Sequence, residues 1–250
     1  MHVGARARLP GPLRIPAQAH TRAMRRFLTV GLALVVTFAL APLASAQALP
    51  VTYRVDTKDP VVFITIDDGI VASQAGLDYV EKHRTPITSF LTSSQVTDSK
   101  VRYFKRISRW GSVQNHTTTH ASLATSDAGL IKSQVCPVQI DFRRTFGTKP
   151  WMLRPPYGAG PDGHVLHDVV RRCHITDIVM WDTVVEQGRI SYRYGDGLKP
   201  GSVILLHYSS NLATDLKVAV SAARARGLHP ANLADYLRAP ARDRTPNGGR

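Results

Sequence analysis

The chain contains 250 residues with a formal net charge of +14; 43% of its residues are hydrophobic and only two are cysteines. A chain of this size buries a sizeable core without disulfide staples, which excludes a small disulfide-dependent scaffold. The positive charge favours contact with an anionic surface such as a cell wall or an acidic glycan. The basic residues are scattered and do not alternate with aromatic residues, so no nucleic-acid partner is predicted.

The first 46 residues have the three parts of a secretory signal peptide. Residues 1–27 contain six arginines and no carboxylate, residues 28–43 are apolar or small, and Ala44-Ser45-Ala46 follows as a cleavage site. The apolar run is roughly 16 residues, shorter than the ~20 that a spanning helix needs, and an uncleaved anchor is the alternative. Met24 is an alternative start of translation. We expect a secreted or extracellular protein, associated with the cell wall or free, that keeps no stable membrane anchor after cleavage.

After a short polar segment at residues 47–57, buried strands alternate with amphipathic helices. Ser73 is a plausible N-cap for the first helix, and Pro137 is expected to kink or break the third. Residues 239–250 are basic and rich in Pro and Gly, which predicts a disordered tail. The alternation predicts one α/β domain with a mainly parallel sheet. We predict strands at residues 61–67, 85–91, 111–115, 151–154, 175–181 and 202–207, and helices at 73–83, 100–109, 125–146, 162–172 and 212–226.

Polar and ionisable residues follow the predicted strands at the points where the strands end. They are Asp67-Asp68, Asn115-His116, Arg154 and His207. In parallel α/β barrels the carboxyl ends of the strands meet at one face, where the catalytic groups lie. The sequence therefore places its candidate chemistry at one face of the domain.

Each motif also has a purely structural interpretation when it is taken alone. The segment Asp67-Asp68-Gly69 has a common turn composition, RPPYG (residues 154–158) is a rigid turn, and His207 fits a buried core histidine. His116 and His120 share one face if residues 116–120 form a helical turn, although the three threonines between them are poor helix formers. Two histidines with a carboxylate at a neighbouring strand end make a metal site that leaves positions open for water and substrate.

Four segments in order, ITIDDG, NHTTTH, RPPYG and ILLH, resemble the motifs of polysaccharide deacetylases of carbohydrate esterase family 4, the NodB-homology domain. The resemblance covers residues 58–238, nearly all of the chain after the leader. It implies a single catalytic domain with a distorted (β/α)7 barrel. It also implies a metal-dependent deacetylase that hydrolyses N-acetyl or O-acetyl groups of a polysaccharide such as chitin, peptidoglycan or acetylxylan.

The resemblance implies a role for each matching residue. Asp67 corresponds to the catalytic base, Arg154 to the residue that holds it, and His207 to the acid that protonates the leaving group. The backbone N–H of Tyr157 corresponds to an oxyanion donor and Leu205 to the lining of the acetyl pocket, and Pro156 and Tyr157 are also expected to bind the substrate. One divalent metal would be bound by Asp68, His116 and His120. Zinc is the first choice and cobalt, nickel or manganese also suit these ligands, whereas calcium would need more oxygen ligands.

The chain departs from the family at the fourth motif, which normally has an Asp-x-x-Asp-Trp pattern. Asp182 stands for the first acidic residue and would orient His207, but Val185 and Glu186 occupy the positions of the second Asp and the Trp. A secreted glycan-binding protein without turnover therefore stays open, as does a hydrolase of another acyl substrate. Cys136 and Cys173 form either one disulfide or two buried thiols.

Overall fold

A computed structural model describes residues 48–237, and these residues belong to one compact unit, Ser45–Arg250. The predicted signal peptide and the predicted basic tail lie outside the described residues. Within 48–237, no helix combines the length and the apolar composition that a membrane span requires.

Between residues 61 and 179 the described chain alternates strands and helices as the sequence predicts, whereas the strands at residues 51–52, 183–186 and 189–192 are not predicted. The strands are β1 (Val51–Thr52), β2 (Val61–Asp68), β3 (Ile87–Leu91), β4 (Gly111–Asn115), β5 (Met152–Leu153), β6 (Asp177–Val179), β7 (Thr183–Glu186), β8 (Arg189–Tyr192), β9 (Val203–His207) and β10 (His229–Pro230). The helices are α1 (Gln74–His83), α2 (Asp98–Ile107), α3 (Ala128–Phe146), α4 (His164–Arg172), α5 (Leu212–Ala225) and α6 (Leu233–Tyr236). Short 3-10 turns lie at Ser93–Gln95, Ser108–Trp110 and Pro156–Gly158.

One curled sheet carries the strands in the order β1-β6-β5-β4-β3-β2-β9-β7-β8, and β10 pairs with β2. All paired neighbours run parallel except β8, which runs antiparallel to β7. Beyond β1, Arg54 forms an isolated bridge with Ser202, so the chain leaving one edge returns towards β9. The predicted α/β class with a distorted (β/α)7 barrel is confirmed.

The centre of the sheet is fully buried, which explains its apolar strands. Every residue of β2 from Val61 to Asp67 is buried, as are all five residues of β3. Helices α1, α2 and α5 cover one part of the sheet through residues such as Leu77, Phe104 and Leu216. A second cluster joins the inner faces of α3 and α4 to β5 and β6. Burial on both faces fixes the strands, and their carboxyl ends therefore present the polar residues at a set position.

Helix α3 continues through Pro137, so of the two expected effects, a kink or a break, the break is wrong. A proline inside a helix costs about 3 kcal/mol because it removes a backbone hydrogen bond and crowds the preceding turn. Burial of apolar residues on both sides of the proline offsets this cost, namely Ile131, Val135, Val138 and Phe142. Ser73 does cap α1, since its Oγ accepts the N–H of Gly76 at 3.2 Å.

The two cysteines form a disulfide between α3 and the residue that follows α4. Cys136 and Cys173 have their Cα atoms 4.9 Å apart, within the usual range for a disulfide. Of the two alternatives that the sequence leaves open, the structure has the disulfide. The bond ties the middle of α3 to the C-terminal end of α4.

Candidate active site and metal centre

Three potential metal ligands converge beyond the carboxyl ends of β2 and β4. The Oδ1 atom of Asp68 lies 3.3 Å from Nε2 of His116 and 3.1 Å from Nε2 of His120. One ligand atom from each residue lies within 4.8 Å of the other two. The Asp68 Oδ1 atom is buried and makes no hydrogen bond with another described residue. Three electron-pair donors that face one point, one of them buried without a donor, fit a divalent cation.

The turn after β2 directs Asp68 into this cluster. Asp68 and Gly69 both adopt a positive φ, of 76° and 91°, so the chain bends sharply as the strand ends. The Nζ of Lys100 on α2 donates to the carbonyls of Gly69 and Ile70, at 3.0 and 3.1 Å. This ammonium therefore fixes the backbone directly after the ligand. The contact of Lys100 could not be predicted from the sequence, since a lysine on an amphipathic helix carries no local signal of it.

The two histidines lie in a loop after β4 and not on the helical turn that their spacing suggests. Thr117 and His120 have positive φ values of 70° and 63°. The loop is held by side chains: the N–H of Thr117 donates to Asn115 Oδ1 at 2.8 Å, and that of His120 to Thr117 Oγ1 at 3.0 Å. The threonines and Asn115 thus support the loop in place of helical hydrogen bonds.

The ring of His116 is oriented by a backbone carbonyl. Its Nδ1 donates to the carbonyl oxygen of Arg154 at 2.7 Å, because a carbonyl can only accept. This bond leaves the lone pair of Nε2 facing Asp68. A backbone acceptor behind a ligating histidine is a common feature of metal sites, where it fixes the tautomer and the ring plane.

Asp67 lies beside this cluster and is held by a buried arginine. Its Oδ1 accepts a hydrogen bond from Nη1 of Arg154 at 2.7 Å, and its Oδ2 lies 3.8 Å from Nε2 of His116. Only 3% of Asp67 is exposed. One carboxylate oxygen is thus occupied by the ion pair while the other faces the cluster.

Arg154 is fully buried and every nitrogen of its guanidinium donates a hydrogen bond. Besides Asp67, Nη1 reaches the hydroxyl of Thr65 at 2.8 Å, while Nε and Nη2 reach the carbonyls of Val179 and Met180 at 3.0 Å each. The guanidinium also stacks 4.3 Å above the ring of Phe90. Burial lowers the pKa of Arg154 and the charge of Asp67 opposes that shift. The arginine is therefore a rigid support for one carboxylate.

The ligand cluster shifts the titration of its own members. Burial raises the pKa of the Asp68 carboxyl, but contact with His116 and the charges of His207 and His120 outweigh it and hold that pKa below its usual value. Burial lowers the pKa of His120, and repulsion from His116 lowers it further. An ionised Asp68 and a neutral His120 are the forms that bind a metal.

The RPPYG segment forms a tight turn beside His120. Tyr157 has a φ of 61°, and the turn is closed by the N–H groups of Gly158 and Ala159, which donate to the carbonyls of Pro155 and Pro156. The N–H of Tyr157 takes part in neither bond. Its ring contacts the His120 ring edge-on with centroids 4.7 Å apart and is 72% exposed, whereas Pro156 is buried. Tyr157 thus lies at the mouth of the site.

His207 ends β9 directly beside the carboxylate that Arg154 holds. In the β2–β9 pairing the residue opposite His207 is Asp67, and Leu205 on the same strand face lies opposite Thr65. The Nδ1 atom of His207 is buried and has no hydrogen-bond partner in the described part of the chain. Val185 and Glu186, which replace the acidic and aromatic residues of the fourth motif, are buried and exposed respectively, and neither supplies a carboxylate to this ring.

Asp182 does not orient His207, so this expectation is corrected. Its two carboxylate oxygens accept hydrogen bonds from Thr183 and Ser202, at 3.1 and 3.0 Å. Its N–H pairs with the carbonyl of Val203, at the opposite end of β9 from His207. Four residues of a strand separate the two positions, about 13 Å. Burial raises the pKa of Asp182, and its hydrogen bonds oppose that shift.

Comparisons with known proteins agree with this geometry. A family model described as Polysaccharide deacetylase matches residues 54–176. The protein SCO4760 of Streptomyces coelicolor is 32% identical over 195 residues, which cover 75% of this chain and 77% of that protein. Two peptidoglycan-N-acetylmuramic acid deacetylases of Bacillus subtilis also match. PdaA is 29% identical over 62% of each chain, and PdaC is 25% identical over 64% of this chain and 35% of its own length.

The solved structure of B. subtilis PdaA, described as a family 4 carbohydrate esterase, superposes with a TM-score of 0.60 at 25% identity. The match covers 74% of this chain and 83% of PdaA. The family is metal-dependent, and Asp68, His116 and His120 supply a ligand set that suits a metal. The chain belongs to the polysaccharide deacetylase family, carbohydrate esterase family 4, and is a hydrolase that acts on amide or ester bonds.

Proposed function

We propose that this protein is an exported deacetylase that hydrolyses the N-acetyl groups of a polysaccharide, with the glycan strands of peptidoglycan as the first substrate to test. The observation that carries the proposal is the pairing of a buried Asp67–Arg154 ion pair with the Asp68–His116–His120 cluster. Two relatives named as peptidoglycan-N-acetylmuramic acid deacetylases favour this polymer. Chitin, with N-acetyl groups, and acetylxylan, with O-acetyl groups, are the alternative substrates.

The three potential metal ligands would hold the proposed electrophile, a divalent cation. A divalent cation held by Asp68, His116 and His120 would polarise the acetyl carbonyl and lower the pKa of a bound water. Two imidazoles and one carboxylate suit zinc first, and cobalt, nickel or manganese also accept them. The Arg154 carbonyl behind His116 and the Lys100 ammonium behind Asp68 keep two of these ligands in position.

Asp67 is proposed as the general base. Arg154 engages Oδ1 and leaves Oδ2 on the side of His116, where it can accept the proton of the attacking water. Because the guanidinium stacks on Phe90 and its donors are all engaged, Asp67 cannot turn away from the cluster without losing its ion pair. The base therefore has one fixed orientation before substrate binds.

The remaining steps are assigned to groups on neighbouring strand ends. The N–H of Tyr157, which takes no part in closing the turn, is proposed to stabilise the oxyanion, and His207 to protonate the leaving amine. His207 and Asp67 are opposite one another across the β2–β9 pairing, so acid and base flank the same point. Leu205 and Pro156 are proposed to line the acetyl pocket, and the exposed rings and side chains of Tyr157 and Ile70 to contact the sugar.

Export is proposed from the leader sequence in residues 1–46, which has a basic segment, an apolar run and an Ala-Ser-Ala site. A polysaccharide of the cell envelope would then be within reach of the enzyme. N-terminal sequencing of the protein recovered from the culture medium should begin at Gln47. Recovery of the intact leader in the membrane fraction would contradict export with cleavage.

The proposal is tested by acetate release from peptidoglycan, N-acetylglucosamine oligomers and acetylxylan. Asp67→Asn should abolish release while the variant still binds the polymer, because only the proton acceptor is lost. Asp162→Asn makes the same change at an exposed loop position and should keep full activity. Binding of a polymer by the wild type without any acetate release would favour a glycan-binding protein. Equal turnover of simple acetyl esters, acetyl amides and polymers would favour a hydrolase of small acyl substrates.

A further inference from the structure

A basic pocket lies away from the catalytic face. It has a volume of about 590 Å³, and none of the residues that line it within 48–237 carries a carboxylate. Its basic lining residues come from the last turn of α3, the last turn of α4 and the loops that follow them: Arg143, Arg144, Lys149, Arg172 and His174. We call these five residues and the space between them the basic pocket.

The basic pocket and the catalytic groups lie at opposite ends of the same strands. Lys149 precedes β5 and His174 precedes β6, whereas Arg154 directly follows β5. The Cys136–Cys173 disulfide forms part of the wall and joins the middle of α3 to the residue that follows α4. The pocket is thus a separate, covalently braced site, and a ligand bound there leaves the catalytic groups free.

The cations of the basic pocket are available to a ligand. Within residues 48–237, the side chains of Arg143, Arg144, Lys149 and Arg172 form no ion pair and no hydrogen bond. Cations in the last turn of a helix favour its dipole, which explains single arginines there. The dipole does not explain why cations from two helices and a loop share one concave surface.

A buried amide provides a second, independent sign of a missing partner. Gln139 lines the basic pocket and is only 5% exposed, yet neither its Nε2 nor its Oε1 forms a hydrogen bond with any described residue. Buried amide groups are normally hydrogen-bonded. A ligand or an ordered water that enters the pocket can satisfy this group.

We propose that the basic pocket binds anionic oxygens, phosphate or carboxylate, carried by an acidic polymer. Arginine presents a planar fork of donors that matches both groups, and three arginines with one lysine give the site its charge. The exposed arginines suit repeating groups on a chain more than one enclosed small molecule. This inference does not depend on the reaction at the catalytic face.

Sodium pyrophosphate is the first probe, titrated into the purified protein at low ionic strength by calorimetry. Arg144→Gln/Arg172→Gln should weaken binding by about 100-fold or more, because each lost charge-assisted contact should reduce affinity by about tenfold or more. Arg102→Gln/Arg109→Gln removes the same charge from exposed positions outside the basic pocket and should leave affinity within about twofold. Equal weakening in both double variants would show a general charge effect and would overturn the proposal.

A second measurement locates the bound anion without a variant. Pyrophosphate should protect Lys149 from an amine-reactive reagent, as read by mass spectrometry, and should leave exposed Lys105 as reactive as before. Poly(glycerol phosphate) and polygalacturonate should compete with pyrophosphate, and the stronger competitor identifies phosphate or carboxylate as the preferred group. No protection of Lys149, or no competition by either polymer, would overturn the proposal. Acetate release from a neutral oligomer should be unchanged in Arg144→Gln/Arg172→Gln. Failure of the anion-binding proposal can therefore be distinguished from failure of the proposed reaction.

Discussion

Substitution of Arg154 by lysine is the change that most directly probes the support of the proposed base. The guanidinium makes four hydrogen bonds, to Asp67, Thr65 and the carbonyls of Val179 and Met180. A lysine ammonium at the same position retains the charge but has no planar fork. The ammonium can donate to Asp67 and Thr65. It then loses the hydrogen bonds to the carbonyl of Val179 on β6 and to that of Met180 just after β6.

The cost follows from those two lost bonds. Hydrogen bonds that involve a charged group contribute about 1.5–3 kcal/mol each, so Arg154→Lys should lower the free energy of unfolding by about 3–6 kcal/mol. Arg154→Met would also leave Asp67 as a buried carboxylate without a partner, which costs about 3–5 kcal/mol more. The total approaches the 5–15 kcal/mol stability of an ordinary domain, so the methionine variant should not fold stably.

Urea unfolding measures the loss of stability, and acetate release by the folded fraction measures the effect on turnover. Arg154→Lys should unfold at lower urea and should turn over more slowly with little change in KM, because the base loses its fixed orientation. Arg106→Lys is the matched control, since Arg106 also makes a two-point pair, with Glu81, but at the surface. Exposed pairs contribute little. Equal stability of the two lysine variants, with wild-type turnover in both, would refute the argument.

Three further predictions concern residues outside the ligand cluster. Burial raises the pKa of Asp182 above its unfolded value of 3.8, so its ionisation weakens the fold as pH rises through the folded pKa. In urea unfolding, the stability of Asp182→Asn relative to wild type should therefore increase as pH rises. Its turnover should be unchanged, and slower turnover would indicate that Asp182 does act on His207. Cys136→Ser should lower the free energy of unfolding by about 4 kcal/mol, from the entropy of a loop with a 37-residue separation, and an unchanged urea midpoint would contradict this. Lys100→Met should weaken zinc affinity in equilibrium dialysis by about 10- to 100-fold, as loss of a support behind a ligand does, and equal affinity would contradict it.

The sequence predicts those residues of the site that belong to short, local sequence patterns. A buried apolar strand followed by an ionisable residue is a local pattern, and it located Asp67, Asp68, His116, Arg154 and His207 at strand ends. The parallel sheet then brings those ends together. The α/β class follows from the same alternation of strands and helices, because their periodicities differ.

The parts that the sequence did not predict depend on long-range register and tertiary contacts. The role of Asp182 beside His207 was predicted from its offset within a motif. In the structure β7 begins at Thr183, which pairs with Ile204, so Asp182 lies at the end of β9 opposite to His207. Nothing near Lys100 in the sequence shows that its ammonium reaches Gly69. The path of α3 through Pro137 depends in the same way on burial of its neighbours against other elements.

The histidine pair shows how a correct residue assignment can rest on a wrong local structure. The spacing of His116 and His120 predicts one face of a helical turn, whereas both residues lie in a loop with two left-handed positions. Their rings still meet Asp68 because Asn115 and Thr117 fix that loop through side-chain hydrogen bonds. The threonines that disfavour a helix are therefore part of the scaffold of the cluster.

The most direct test of the proposed function is a metal titration of acetate release. The protein would be stripped with a chelator and titrated with zinc, with peptidoglycan as substrate, beside His120→Ala and Asp67→Asn. We predict that release by the wild type returns as one equivalent of zinc binds, that His120→Ala binds zinc weakly, and that Asp67→Asn binds one equivalent and stays inactive. Release that survives complete removal of metal, or full activity of Asp67→Asn, would contradict it.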